Sequence, residues 1–258
     1  GQPEQALKHF RQALALDPPN RDPLRWMAML QTSEGRIEDA IEAYERLLAQ
    51  DPADRFVLST LADLYVLQGQ LTKAVELYER LIRDYGSSQQ LHFNLGVLYG
   101  RLGEFPSAIQ ELSRALELSP DSVEVRLALG LTYELHGDPE KAAAHYEDAV
   151  RLDPLNPRLY LHAARVHAAS GRIKDAIDDY RTALDLTPDD LEAISGLVRL
   201  LVQDRRAAEA QQLLGRALQG PGPQPVLYLM LGLVYQEAGA PQEAARAFER
   251  SLESGESA

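Results

Sequence analysis

The sequence predicts an all-α protein built from a repeated pair of helices. Its composition favours helix, because Ala and Leu abound, aromatic residues make up only 7%, and Val, Ile and Thr form no alternating, strand-like runs. A second observation is a period of 34 residues, visible in the recurring segment ends LALDP, LELSP, VRLDP and LDLTP. No apolar stretch is long enough to cross a bilayer, so we expect no membrane insertion.

The second helix of each pair, helix B, is defined by an alanine and by the residue that stops the helix. A large side chain follows each alanine four residues later, on the same face of the helix. Proline or glycine then ends the unit, because neither residue continues a helix well. The alanines are Ala6, Ala40, Ala74, Ala108, Ala142, Ala176, Ala210 and Ala244, and the stops are Pro18, Pro52, Gly86, Pro120, Pro154, Pro188 and Gly222.

The first helix of each pair, helix A, has its own signature. A small residue recurs where the two helices must approach closely, at Ala28, Ala62, Gly96, Gly130, Ala164 and Gly232. A glycine then ends helix A, at Gly35, Gly69, Gly103, Gly137, Gly171 and Gly239. Between these two marks most units have an aromatic residue, such as Tyr65 and Tyr99, but the unit at 21–54 has Gln31 there. The unit at 191–224 loses all three marks, because Val198, Leu201 and Arg205 replace its small, aromatic and glycine residues.

These marks divide the whole chain. Residues 1–20 form a half repeat with helix B only, and the full repeats are 21–54, 55–88, 89–122, 123–156, 157–190, the degenerate 191–224, and 225–258. The segment from Gly220 to Pro225 predicts a stiff, non-helical connection, for which a plain loop is favoured over a hinge.

The repeated signature resembles the tetratricopeptide-repeat (TPR) family, in a generic bacterial-type array. The resemblance covers the whole chain and is most complete in NLGVLYGRLGEFPSAIQELSRALELSP and LALGLTYELHGDPEKAAAHYEDAVRLDP. It implies a right-handed superhelix, or α-solenoid, of antiparallel helix pairs. A repeat signature of this kind is specific for a fold but does not name a function.

The pattern gives no support to enzymatic or cofactor chemistry. Cysteine is absent and none of the six histidines forms a metal motif. His167 occupies the repeat position at which other units have an aromatic residue, such as Tyr65 and Tyr99, so we expect it to pack in the core. The acidic residues around Asp178 and Asp189 lack the spacing of a calcium loop. We therefore expect no enzyme, no cofactor and no metal.

Charge restricts the partners. With 26 Lys and Arg against 39 Asp and Glu, the net charge of −13 opposes a nucleic acid backbone. The resemblance places the partner-binding groove on helix A, chiefly at repeat positions 2, 5, 9, 12 and 13, and these positions hold no net excess of acid. The candidate groove residues are apolar Phe93, Val97, Leu127, Leu131, Leu135 and Leu161, flanked by Arg101, Arg158, Arg165 and Arg199. The alternative is that the apolar residues pack against neighbouring repeats.

We therefore predict a soluble scaffold or adaptor that binds a peptide or protein segment in its groove. Two alternatives stay open: a regulatory or targeting segment of a larger enzyme or of an envelope or secretion machine, and a structural scaffold that self-associates end to end. The half repeat at the start favours a piece of a longer protein. The cytoplasm is slightly favoured, with the bacterial periplasm as the alternative had a signal peptide been removed.

Overall fold

A computed structural model describes residues 2–220 and 224–256, and these ranges form fifteen α-helices and no strand. The all-α prediction is therefore confirmed. The helices are α1 (Gln2–Leu16), α2 (Arg21–Ser33), α3 (Ile37–Gln50), α4 (Arg55–Gln68), α5 (Leu71–Tyr85), α6 (Gln89–Arg101), α7 (Phe105–Leu118), α8 (Val123–His136), α9 (Pro139–Leu152), α10 (Pro157–Ala169), α11 (Ile173–Leu186), α12 (Leu191–Gln203), α13 (Ala207–Ala217), α14 (Pro225–Glu237) and α15 (Pro241–Glu256).

Six of the seven described A helices begin directly after a polar residue whose side chain caps them. The capping side chain accepts a hydrogen bond from a backbone N–H of the first turn, which otherwise has no partner inside the helix. The caps recur at the 34-residue period, as Asn20, Asp54, Ser88, Ser122, Asn156 and Asp190. Gln224, before α14, makes no such side-chain bond.

Each helix A ends where the backbone enters the left-handed region. The predicted glycines adopt it, with φ of 78° at Gly69 and 75° at Gly171. This conformation is open to glycine because it has no Cβ. In the degenerate repeat Arg205 takes the same conformation, with φ of 59°.

The small residues of helix A lie where helix B crosses it. A Cβ built on Gly130 would lie 2.4 Å from Cε1 of Tyr146, and one on Gly96 would lie 2.7 Å from Cγ of Leu112. Gly196 lies at a further contact of this kind, which the repeat signature does not predict. Its Cβ would lie 2.3 Å from the ring of Tyr180, which belongs to the preceding helix B.

The chain forms two compact units, Gly1–Pro120 and Asp121–Ala258. In each unit a helix B packs against its own helix A and, where the unit continues, against the next helix A. The first unit, α1–α7, has one core cluster that contains the fully buried Tyr44. Its Trp26, on α2, is the only tryptophan of the sequence and is 56% exposed. The second unit, α8–α15, contains the fully buried Tyr146.

A repeated polar bridge joins helix A to the helix B that precedes it. The hydroxyl of Tyr65 donates to Oε1 of Glu45 at 2.5 Å, and Tyr99 donates to Glu79 in the same way. Burial, followed by the neighbouring carboxylate, raises the pKa of both tyrosines, so the hydroxyls stay protonated as donors. The degenerate repeat has Leu201 at this position and forms no such bridge.

No described helix combines the length and the apolar character that crossing a membrane requires. Within the predicted connection between the last two repeats, Pro221, Gly222 and Pro223 lie outside the described residues. The choice between a loop and a hinge at this connection stays a prediction.

Candidate functional site

The predicted groove residues all lie on helix A, but they belong to both units. Phe93, Val97 and Arg101 lie on α6 of the first unit. The others lie on helices of the second unit: Leu127, Leu131 and Leu135 on α8, Arg158, Leu161 and Arg165 on α10, and Arg199 on α12. We call the surface formed by repeat positions 2, 5, 9, 12 and 13 of helix A the helix-A wall, and describe it in each unit separately.

In the first unit the wall contains an apolar cavity of about 350 Å³ between α4 and α6. It is lined by Asp63, Val66, Leu67, Tyr78, Phe93, Asn94, Val97, Leu98 and Arg101. Two of its apolar side chains are open to solvent, since Leu67 is 72% and Val97 36% exposed. The structure thus brings together the three residues predicted on α6 and adds α4 as the second side of the site.

A hydrogen-bonded chain of polar groups lies at one edge of this cavity. The hydroxyl of Tyr78 donates to Oδ1 of Asp63, and Nδ2 of Asn94 donates to the Tyr78 hydroxyl at 3.1 Å. Burial and the Asp63 carboxylate raise the pKa of Tyr78, so it remains a donor over the physiological range. The ring of Tyr78 is thereby held against the apolar residues.

In the second unit the leucines of α8 differ in depth. Leu127 and Leu131 are half-buried and pack against the core cluster that contains Ala143 and Tyr146. Leu135 is 67% exposed. The alternative that wall residues pack on their neighbours thus holds in part for Leu127 and Leu131, while Leu135 is exposed.

Leu161 differs more strongly from the prediction. It is only 7% exposed and belongs to the core cluster that also contains Ile194 and Leu197 of α12. The prediction of Leu161 as an exposed groove residue is therefore wrong, because its side chain lies in a core cluster with residues of the following helix A.

Arg165 already has a carboxylate partner inside the chain. Its Nε and Nη2 donate to the two oxygens of Glu134 at 2.9 and 3.0 Å, a bidentate pair, and Nη2 lies 3.1 Å from Nδ1 of His162. Burial alone would raise the pKa of Glu134, but the hydrogen bond and charge of Arg165 outweigh it and hold the pKa below its usual value. Arg165 is thus already paired within the chain, whereas Arg158 and Arg199 are exposed.

A second cavity, of about 280 Å³, lies between α12 and α14 and was not predicted. It is lined by Ser195, Val198, Arg199, Val202, Gln203, Met230, Leu233, Val234 and Glu237. On α14 the side chains of Val226, Leu229 and Leu233 are 46%, 47% and 51% exposed. The signal was present in the sequence, because these three apolar residues occupy positions 2, 5 and 9 of the last repeat.

The described residues contain no group of three or more His, Asp and Glu side chains able to hold a metal ion. His167 is buried and bridges two helices, with Nδ1 2.7 Å from Oδ2 of Asp179 and Nε2 3.0 Å from Oε1 of Glu147. His167 is therefore a core residue that bonds to the preceding helix B at the same repeat position as Tyr65 and Tyr99.

Family models described as tetratricopeptide repeat match most of the chain. One matches residues 59–123, 127–190 and 195–258, and a second matches 1–64 and 167–220. No match was found among curated proteins.

Solved structures share the fold at low sequence identity. A tetratricopeptide repeat protein from Parabacteroides merdae is 19% identical with a TM-score of 0.65, over 91% of this chain and 93% of that one. The C-terminal part of a TPR protein from Cytophaga hutchinsonii is 17% identical with a TM-score of 0.69, over 84% and 90%. YrrB, described as a TPR protein with an unusual peptide-binding site, is 22% identical with a TM-score of 0.60, over 72% and 96%.

Proposed function

Since the chain belongs to the tetratricopeptide-repeat family, we propose that it is a non-catalytic scaffold that binds a segment of a partner protein on its helix-A walls. The observation that carries this proposal is the open apolar cavity between α4 and α6. A soluble protein rarely leaves a group of large apolar side chains in contact with water unless a partner covers them. The size and apolar lining of the cavity suit a single large side chain of that partner.

The likeness to YrrB supports the choice of a peptide segment as ligand. YrrB is described as carrying a peptide-binding site, and it shares the fold of this chain. Peptides bind helical grooves mainly through a few apolar anchors that enter pockets. Leu67, Phe93 and Val97 would contact such an anchor in the first unit, and Leu135 would offer a further exposed contact in the second.

The exposed arginines of the wall would contribute orientation. Arg101, Arg158 and Arg199 have no carboxylate partner among the described residues, and a guanidinium suits bidentate contact with a carboxylate. Contacts of this kind are exposed and screened by salt, so we expect them to affect selectivity and association rate more than affinity.

The test is site-specific photo-crosslinking in cells that produce the protein. A benzophenone amino acid would be placed at Val97 or Leu135 on the wall, and at the exposed helix-B residues Arg114 or Glu249 as matched controls. We expect discrete adducts with another protein from the wall positions only. Adducts from the helix-B positions alone would contradict the proposal, and adducts only between copies of this chain would indicate a self-assembling scaffold instead.

A further inference from the structure

The two wall cavities, one in each unit, are built at equivalent repeat positions. Three apolar residues of the first cavity have an equivalent in the second, four repeats of 34 residues later in the chain. The pairs are Val66 and Val202, Val97 and Leu233, and Leu98 and Val234. The apolar surface is therefore repeated with similar side chains, although each cavity lies wholly within its own unit.

The charges at the two cavities are also equivalent in position but opposite in sign. In each cavity the earlier of the two A helices contributes its position 9, which is Asp63 on α4 and Arg199 on α12. The later helix contributes its position 13, which is Arg101 on α6 and Glu237 on α14. All four side chains belong to exposed residues.

None of these four residues forms an ion pair within the described part of the chain. Asp63 accepts a hydrogen bond from Tyr78, and Arg199 interacts with the hydroxyl of Tyr180. Both interactions hold the charged group at the cavity edge without neutralising it. Each cavity thus presents one uncompensated acid and one uncompensated base, with apolar side chains between them.

We propose that each unit carries a separate pocket for an apolar side chain flanked by one basic and one acidic residue of a partner segment, and that the two pockets have opposite charge order. This inference rests on the proposed function and specifies the chemistry of the ligand. The apolar side chain provides most of the affinity, and the flanking charges select the segment, since like charges brought together disfavour binding.

A consequence is that one and the same segment lies in opposite directions in the two pockets. Its base would meet Asp63 on the first helix of one pocket and Glu237 on the second helix of the other. Its acid would correspondingly meet Arg101 and Arg199. The chain can therefore take two such segments at once, one in each unit.

The test uses labelled peptides with a central Phe and three combinations of flanking residues: Lys and Glu, two Lys, or two Glu. Arg101→Glu would give the first pocket two acids, and Glu237→Lys would give the second pocket two bases. Binding would be followed by fluorescence anisotropy at low salt. Lys8→Glu and Glu249→Lys make the same change of net charge at exposed helix-B residues and serve as controls.

For the parent protein we expect the Lys/Glu peptide to bind best. Arg101→Glu should raise affinity for the two-Lys peptide, and Glu237→Lys should raise affinity for the two-Glu peptide. Each gain should be about two- to fivefold, the range of an exposed ion pair. Replacing Phe by Ala in the Lys/Glu peptide should weaken binding about tenfold or more, because the buried apolar side chain is lost.

Equal gains in the control variants would overturn the inference, because net charge alone would then explain them. No measurable binding of any peptide would also overturn it. Neither of these results would contradict the proposed function. The crosslinking experiment tests that function separately, because it uses the natural partner and not the designed peptides.

Discussion

Gly130 lets α8 and α9 approach so closely that a methyl group has no space at this position. Its Cβ would meet the ring of Tyr146 at 2.4 Å, and that ring is fully buried. We expect Gly130→Ala to lower the free energy of unfolding by about 1 to 3 kcal/mol, because overpacking outweighs the better helix propensity of alanine. Urea denaturation measures this change.

The matched control is Gly215, in α13. A Cβ there meets nothing within 4 Å. Gly215→Ala should therefore stabilise the protein by up to about 1 kcal/mol through helix propensity alone. Equal effects of the two substitutions would show that the close contact at Gly130 has no energetic weight.

Arg205 is the described non-glycine residue with positive φ, at 59°. A left-handed conformation costs an L-residue roughly 1 to 2 kcal/mol, so Arg205→Gly should stabilise the protein by about 1 kcal/mol. Thermal unfolding would show the gain as a raised Tm. At the equivalent position Gly171, with φ of 75°, the change to Ala should lower the Tm, and a rise there would refute the argument.

At the scale of the helix, the last repeat lacks the capping residue of the other six. Gln224→Asp should provide an oxygen for the free N–H groups at the start of α14 and stabilise the protein by about 1 kcal/mol. The reverse change, Ser122→Ala, removes an existing cap of α8 and should destabilise by a similar amount. Hydrogen exchange of the first-turn amides should slow in the first variant and accelerate in the second.

The helices were predictable because the residues that start and stop them recur every 34 residues along the chain. Stop residues such as Pro52 and Gly69 define the helix ends from local chemistry, without reference to distant contacts. The capping series was present in the sequence as well, since Asp54 and Ser88 stand one period apart directly before a helix A. Gly196 was not predictable, because its contact with Tyr180 depends on the packing of successive pairs.

The candidate site was predictable only as a helix face. Repeat positions indicate which side chains share the helix-A face, and this was sufficient to place Phe93 and Val97 beside a cavity. The repeat positions do not indicate how deeply each of these side chains is buried. Leu161 shares the face but lies in a core cluster with residues of α12, and Arg165 shares it but is held by Glu134, a residue 31 positions earlier.

At the scale of the whole molecule, one buried and two half-buried histidines make stability depend on pH in two directions. Hydrogen bonds to Asp179 outweigh burial and raise the pKa of His167, so its stabilising contribution is complete below about pH 6.5 and is lost as pH rises through the folded pKa. Burial lowers the pKa of His145 and His162, so they destabilise as pH falls below about 6.5. For these three groups we therefore expect maximal stability near pH 6.5, where the two losses meet.

The variant His167→Gln separates the two effects. It should reduce the loss of stability from pH 7 to pH 9 and leave the acid-side loss unchanged, as measured by urea denaturation across this range. His9→Gln, at an exposed residue of α1, is the control and should leave the whole profile unchanged. The idea fails if the alkaline loss is the same in the parent and in His167→Gln.

Trp26 restricts what spectroscopy can detect in this protein. The only indole of the sequence lies on α2, in the first unit, and is already 56% exposed to water. Its emission will therefore shift little on denaturation, and what shift occurs will follow the surroundings of α2. An unfolding curve recorded by tryptophan fluorescence can look like a single transition while α8–α15 unfolds unobserved. Circular dichroism, to which all the helices contribute, will detect both events.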